Sequence, residues 1–97
     1  MTKPTTPNPT EEPLFEFPCR FPIKAMGRSD EDFEATVVRI VRGHAELWED
    51  DGLPVSSNPS RNGNYVSVTV QVRATSKAQL DAIYQELTDC PGVLMAL

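Results

Sequence analysis

Between Arg61 and Leu87 the chain reads RNGNYVSVTVQVRATSKAQLDAIYQEL, a turn signal, an alternating strand and a capped helix in unbroken succession. Val66, Val68, Val70, Val72 and Ala74 fall on one side of an extended backbone, and Tyr65, Ser67, Thr69, Gln71 and Arg73 on the other. Successive strand side chains point to opposite faces, so this pattern requires a sheet with one face in a core and one face polar. The Asn62-Gly63 pair ahead of the strand readily adopts the positive backbone angles of a tight hairpin. A second strand should therefore precede it and pair antiparallel. Behind it, Ser76 stands as a helix N-cap with Gln79 three residues on, which completes a capping box. Leu80, Ile83, Tyr84 and Leu87 form the inward stripe of that helix, and Pro91-Gly92 separates it from a last strand, Val93 to Leu97.

The first half of the chain supplies the matching elements. From Cys19 to Met26, Cys19, Phe21, Ile23 and Ala25 alternate with Arg20, Pro22, Lys24 and Met26, which predicts a first strand. Gly27 ends it, and Ser29 is the expected N-cap of a helix whose first turn carries Asp30, Glu31 and Asp32 at the positive end of the helix dipole. Phe33, Val37, Ile40, Val41 and His44 recur at helical spacing, so the helix should run from about Asp30 to His44. Glu46 to Gly52 read as an acidic loop, and Leu53 to Pro59 as a short strand whose prolines suit a sheet edge. The order strand, helix, strand, strand, helix, strand, joined by right-handed crossovers, predicts an α+β fold. It is the ferredoxin-like βαββαβ plait: a four-stranded antiparallel sheet with two helices on one face, strands one and three central, strands two and four at the edges.

At 97 residues the chain accommodates one domain. Residues 1–13, MTKPTTPNPTEEP, hold four prolines among polar residues and cannot bury enough apolar surface to offset ordering, so a disordered tail is expected there and a domain over 14–97. No apolar run is long enough to cross a bilayer, and the N-terminus lacks the basic start and apolar core of a secretory signal, which points to a cytoplasmic protein. Cys19 and Cys90 lie in no CxxC pair and read as structural thiols. The net charge of −5 opposes binding to nucleic acid and to anionic membranes.

No residues have the spacing of a catalytic or metal site, and no cofactor is implied. His44 has no second ligand near it in sequence, and the acidic stretches Asp30–Glu34 and Glu46–Asp51 lack the ligand periodicity of a calcium loop. Two places could recognise a partner. The turn Met26-Gly27-Arg28-Ser29 joins strand to helix, where a glycine permits close backbone approach and a helix N-terminus can receive a carboxylate; the competing reading is that Gly27 serves only the turn. The polar side of the sheet should gather Arg20, Lys24, Gln71 and Arg73, with Tyr65 on the same row, as a basic patch on an acidic chain. The competing reading there is a solvated polar face.

The strand end Ile23-Lys24-Ala25-Met26-Gly27, a helix ending in His44, the segment Gly63-Asn64-Tyr65-Val66-Ser67-Val68, the helix piece Ile83-Tyr84-Gln85-Glu86-Leu87 and the terminal Met95-Ala96-Leu97 resemble the YbeD-like family of small bacterial proteins of unknown function. The resemblance spans roughly Phe17 to Leu97. It implies a ferredoxin-like fold similar to regulatory ACT domains, a cytosolic protein, and a link to lipoate or amino-acid metabolism. Residues and resemblance together lead to the expectation of a non-enzymatic regulatory or adaptor module that binds a protein partner or a small metabolite. A structural homodimerisation module is the alternative. The RNA-recognition motif shares the element order, but of its base-stacking positions only Tyr65 is aromatic here.

Overall fold

A computed structural model of the chain describes residues 17–29, 32–50 and 52–97. Six elements follow in the expected order: β1 Cys19–Arg28, α1 Phe33–Arg42, β2 Val55–Pro59, β3 Tyr65–Ala74, α2 Lys77–Asp89 and β4 Val93–Ala96. The strands form one antiparallel sheet in the order β2-β3-β1-β4, so β1 and β3 are central. The tail expected over 1–13 lies outside the described residues.

The period of two in β1 and β3 builds the core. Their register sets Phe21 opposite Val72, Ile23 opposite Val70 and Ala25 opposite Val68, and this row turns toward the helices. Val37 and Val41 of α1 and Ile83 and Leu87 of α2 close over it, all fully buried. Each of these larger aliphatic side chains contributes roughly 1.5–3 kcal/mol on leaving water.

Three local details depart from the reading of the sequence. First, β1 does not stop at Gly27 but runs through it to Arg28, with Gly27 paired to Val66 and Val93. A Cβ built on Gly27 would lie 2.3 Å from Phe33 Cε1 and 2.5 Å from the Gly92 carbonyl oxygen. The glycine thus lets the first ring of α1 and the α2–β4 turn close onto the strand. Second, α1 starts later than expected, with Asp32 rather than Ser29 as N-cap and no side-chain capping bond. Ser29 instead donates its backbone N–H to the Asn64 carbonyl at 2.9 Å, and Asp30 and Glu31 lie outside the described residues. The helix ends at Arg42, where the Gly43 N–H reaches the carbonyls of Arg39 and Ile40, so His44 falls outside it. Third, the acidic loop joins the sheet. Arg73 donates its backbone N–H to the Glu46 carbonyl, Trp48 donates to the Gln71 carbonyl, and Leu47 bridges Val72. This segment satisfies the part of β3 that the short β2, paired only over Val66–Val70, leaves unmatched.

The turn and the second cap behave as their residues require. Ser60 donates to the Tyr65 carbonyl at 2.8 Å, and Gly63 takes φ +77° at the hairpin tip. Ser76 Oγ accepts the Gln79 N–H at 3.1 Å, while Gln79 Oε1 accepts from the Thr75 N–H rather than from Ser76 itself. Gln79 Nε2 also donates to the His44 carbonyl at 3.0 Å, tying the start of α2 to the end of α1.

Candidate functional site: the open face of the sheet

The row of β1 and β3 that points away from the helices pairs Arg20 with Arg73, Pro22 with Gln71, Lys24 with Thr69, Met26 with Ser67 and Arg28 with Tyr65. Register alone therefore places every residue of the expected basic patch on one face. It also separates them, because Tyr65 and Arg73 sit at opposite ends of β3, about 26 Å apart at 3.3 Å per residue.

At one end Arg20 and Arg73 stand side by side, where like charges would ordinarily repel. Each is held by a neutral partner. Arg20 Nε donates to Gln71 Oε1 at 3.3 Å, and the Arg73 guanidinium lies 5.7 Å from the centroid of the Trp48 ring, within cation–π range. Lys24 follows four residues along β1 and completes a basic end made of Arg20, Lys24 and Arg73.

The other end is apolar. Met26 is 39% exposed and Tyr65 41% exposed, and β4 adds Met95 directly opposite Met26. Leu97 exchanges both backbone hydrogen bonds with Lys24, which brings its 66%-exposed side chain to the same region. A groove of about 300 Å³ runs between Met26, Pro59, Tyr65 and Ser67, and a smaller hollow on the other side of Met26 is bounded by Lys24, Met95 and Leu97. Trp48, Met95 and Leu97 come from outside the two central strands, so strand alternation alone did not bring them to this face. The visible signal was that Met26 falls in the polar row of β1.

The expected ligand turn is split by the structure. Met26 belongs to the open face, Gly27 is buried with the space above it taken by Phe33 and Gly92, and Ser29 is exposed and bonded to Asn64. Arg28 borders an open cleft of about 420 Å³ with Phe33, Arg39, Cys90 and Leu94. The close approach that Gly27 permits is thus made by the protein's own atoms.

Elsewhere, His44 Nε2 lies 2.7 Å from Glu86 Oε1 and joins the turn after α1 to α2. Cys19 and Cys90 are half-buried free thiols. Burial raises the Tyr84 phenol above its ordinary pKa, and this side chain packs against the core on the helix side of the sheet. Among the described residues no group of three or more His, Cys, Asp or Glu could hold a metal ion, and no helix is long and apolar enough to cross a membrane.

Strand order, register and two helices on one face define a ferredoxin-like plait. A family model described as a protein of unknown function, DUF493, matches residues 12–97, and the chain belongs to that family. A UPF0250 protein of Nitrosomonas europaea is 50% identical over 88 residues, 91% of this chain and 99% of its own length. Another, from Paraburkholderia phytofirmans, is 51% identical over 86 residues, 89% of this chain and 94% of its own. The expected YbeD-like resemblance stands on these matches. Among solved structures, protein HP0495 from H. pylori superposes with a TM-score of 0.69 at 17% identity, covering 98% of both chains. The ACT domain of a GTP pyrophosphokinase from Chlorobium tepidum superposes with a TM-score of 0.62 at 9% identity, covering 80% of this chain and 94% of that domain. At such identities the likeness is one of fold.

Proposed function

We propose that this protein is a regulatory or adaptor module without a catalytic site of its own, and that it docks an acidic surface of a protein partner on the basic end of the open sheet face. The observation that carries this reading is the grouping of Arg20, Lys24 and Arg73 on the face turned away from the helices, in a chain whose net charge is −5. Concentrating cations on one face of an acidic molecule steers and orients an oppositely charged partner. Gln71 and Trp48 hold two of those cations in place, which lowers the entropy lost on binding. A small metabolite at the Gly27 turn is less favoured, because Phe33 and Gly92 already fill the approach to that glycine. Nucleic acid is opposed by the overall charge.

The test is affinity capture from native extract with the intact chain and with an Arg20→Glu/Arg73→Glu variant shown by circular dichroism to be folded. The reading expects a protein retained by the intact chain, weakened by added salt, and lost by the variant. Retention of the same proteins by both overturns it. Capture of nothing by either chain moves the search to small ligands of the cleft beside Arg28.

A further inference from the structure

Arg73 belongs to a second feature of the molecule besides the open face. Where α1 ends and α2 begins, an open pocket of about 430 Å³ is lined by Arg42, His44, Glu46, Arg73, Thr75 and Gln79. Three elements meet there: Arg42 is the last residue of α1, Arg73 lies one residue before the end of β3, and Gln79 is in the first turn of α2. Most of the lining is already engaged. Gln79 Oε1 accepts the Thr75 N–H at 2.8 Å and Gln79 Nε2 donates to the His44 carbonyl at 3.0 Å, so both ends of that amide are held. The His44 ring meets Glu86, and the Arg73 guanidinium is steadied over the Trp48 ring. The exposed Arg42, by contrast, makes no side-chain hydrogen bond or ion pair among the described residues.

We propose that this pocket is the anchoring subsite of the docking surface: one carboxylate from an acidic segment of the protein partner enters between Arg42 and Arg73, while neighbouring acids meet Arg20 and Lys24. The inference rests on the docking role given to the open face and names where the partner's chain is gripped. Arg73 joins the two regions, since it lines the pocket and pairs with Arg20 in the outward row. The basic surface therefore continues past Arg73 to the end of α1. A guanidinium holds a carboxylate through two parallel hydrogen bonds, which supplies direction as well as attraction. The wall fixed by Gln79 does not have to be ordered when the partner arrives. Glu46 selects among anions. Its backbone carbonyl is bonded to the Arg73 N–H, and its carboxylate shares the pocket with the two guanidinium groups. Repulsion from that carboxylate grows with the charge of the incoming group, so a carboxylate is accepted more readily than a phosphate with its greater charge.

The experiment is titration of the isotope-labelled full chain with a hexaglutamate peptide in low-salt buffer, read by backbone amide NMR, with Arg42→Gln and Glu46→Gln variants in parallel. The amide spectrum of each free variant checks its fold. The inference expects the amides of Ala45, Thr75 and Gln79 at the pocket to shift together with those of Thr69 and Gln71 on β3. Arg42→Gln should weaken binding of the peptide about fivefold, and Glu46→Gln should tighten it about twofold, because the one removes an attraction and the other a repulsion inside the pocket. Shifts confined to β3, with Arg42→Gln binding as tightly as the intact chain, overturn the inference and leave docking at Arg20, Lys24 and Arg73 in place. A peptide that moves none of these amides overturns both readings.

Discussion

The two faces of the β1–β3 pair are built from the same two strands, residue by alternate residue, yet they follow different physics. The inward row of Ile23, Ala25, Val68, Val70 and Val72 is at most 2% exposed, and its content is dictated by volume and by the absence of water. The outward row of Arg20, Lys24, Met26, Thr69, Gln71 and Arg73 is dictated by no such constraint, and it holds cations, a thioether and neutral polar groups together. An inward residue is explained by its neighbours in the core. An outward residue that is neither solubilising nor isolated is explained by what meets it from outside, and this difference directs the functional reading to the outward row.

The largest difference between the two faces is expected at Val70. Val70→Asp places a carboxylate among fully buried aliphatic side chains, and among the described residues no charged group is buried there to pair it. The loss should be several kcal/mol, enough to unfold a domain of this size. Chemical denaturation with circular dichroism reads it, and a variant that retains a cooperative transition near the original midpoint would falsify the assigned strand facing. Gly27→Ala is the next largest. It adds a methyl where Phe33 and the Gly92 carbonyl already stand closer than a Cβ tolerates, and overpacking of this kind costs about 1–3 kcal/mol. In a Phe33→Leu background the penalty should shrink, since one of the two clashing groups is then smaller. Equal penalties in both backgrounds would show that Phe33 is not what makes the glycine necessary.

The fate of Gly27 also shows what could be read from residues alone. The sheet order, the pairing of the central strands and the second helix were legible because they follow from local chemistry: valine at every second position, Asn-Gly at the hairpin tip, Ser76 with Gln79 at the cap. The start of α1 was not. Ser29 followed by three acids is a sound capping signal, but Phe33 and Gly92 close on Gly27 from parts of the chain that no local pattern connects, and the strand continues through it. The same holds at the candidate site. Arg20, Lys24, Gln71 and Arg73 were legible as one row because they share two strands. The ring of Trp48 under Arg73 was not, because it depends on residues 46–48 joining the edge of β3 that β2 is too short to cover. Gln79 was legible as a capping residue, whereas its bond to the His44 carbonyl needed the two helices to be brought side by side.

A smaller effect tests the loop rather than a face. Gly63 has φ +77°, a region where a β-branched residue is strained, and a Cβ there would meet nothing within 4 Å. Gly63→Val should therefore cost about 1–2 kcal/mol from backbone strain alone, with no clash to add to it. Because the space is open, Gly63→Asn should recover much of the loss, asparagine being the side chain that best tolerates that conformation. Equal stability of the valine variant and the native chain in a thermal melt would reject the turn.

The smallest effect is expected one residue away from Val70, on the opposite face. Thr69 neighbours Val70 in β3 but faces outward, opposite Lys24 on β1 and Ser56 on β2. Thr69→Asp introduces the same carboxylate as Val70→Asp. Here it stays near water and beside an ammonium, so the lower strand propensity of aspartate and the attraction of Lys24 oppose each other within about 1 kcal/mol. Stability should hardly move, while the positive potential at the centre of the open face falls. Thr69→Asp should thus weaken capture of an acidic partner without a change in the unfolding midpoint. If it unfolds the protein as Val70→Asp does, the outward row is part of the packed structure. If it leaves both stability and capture unchanged, Lys24 does not contribute to the docking surface, and the basic end contracts to Arg20 and Arg73.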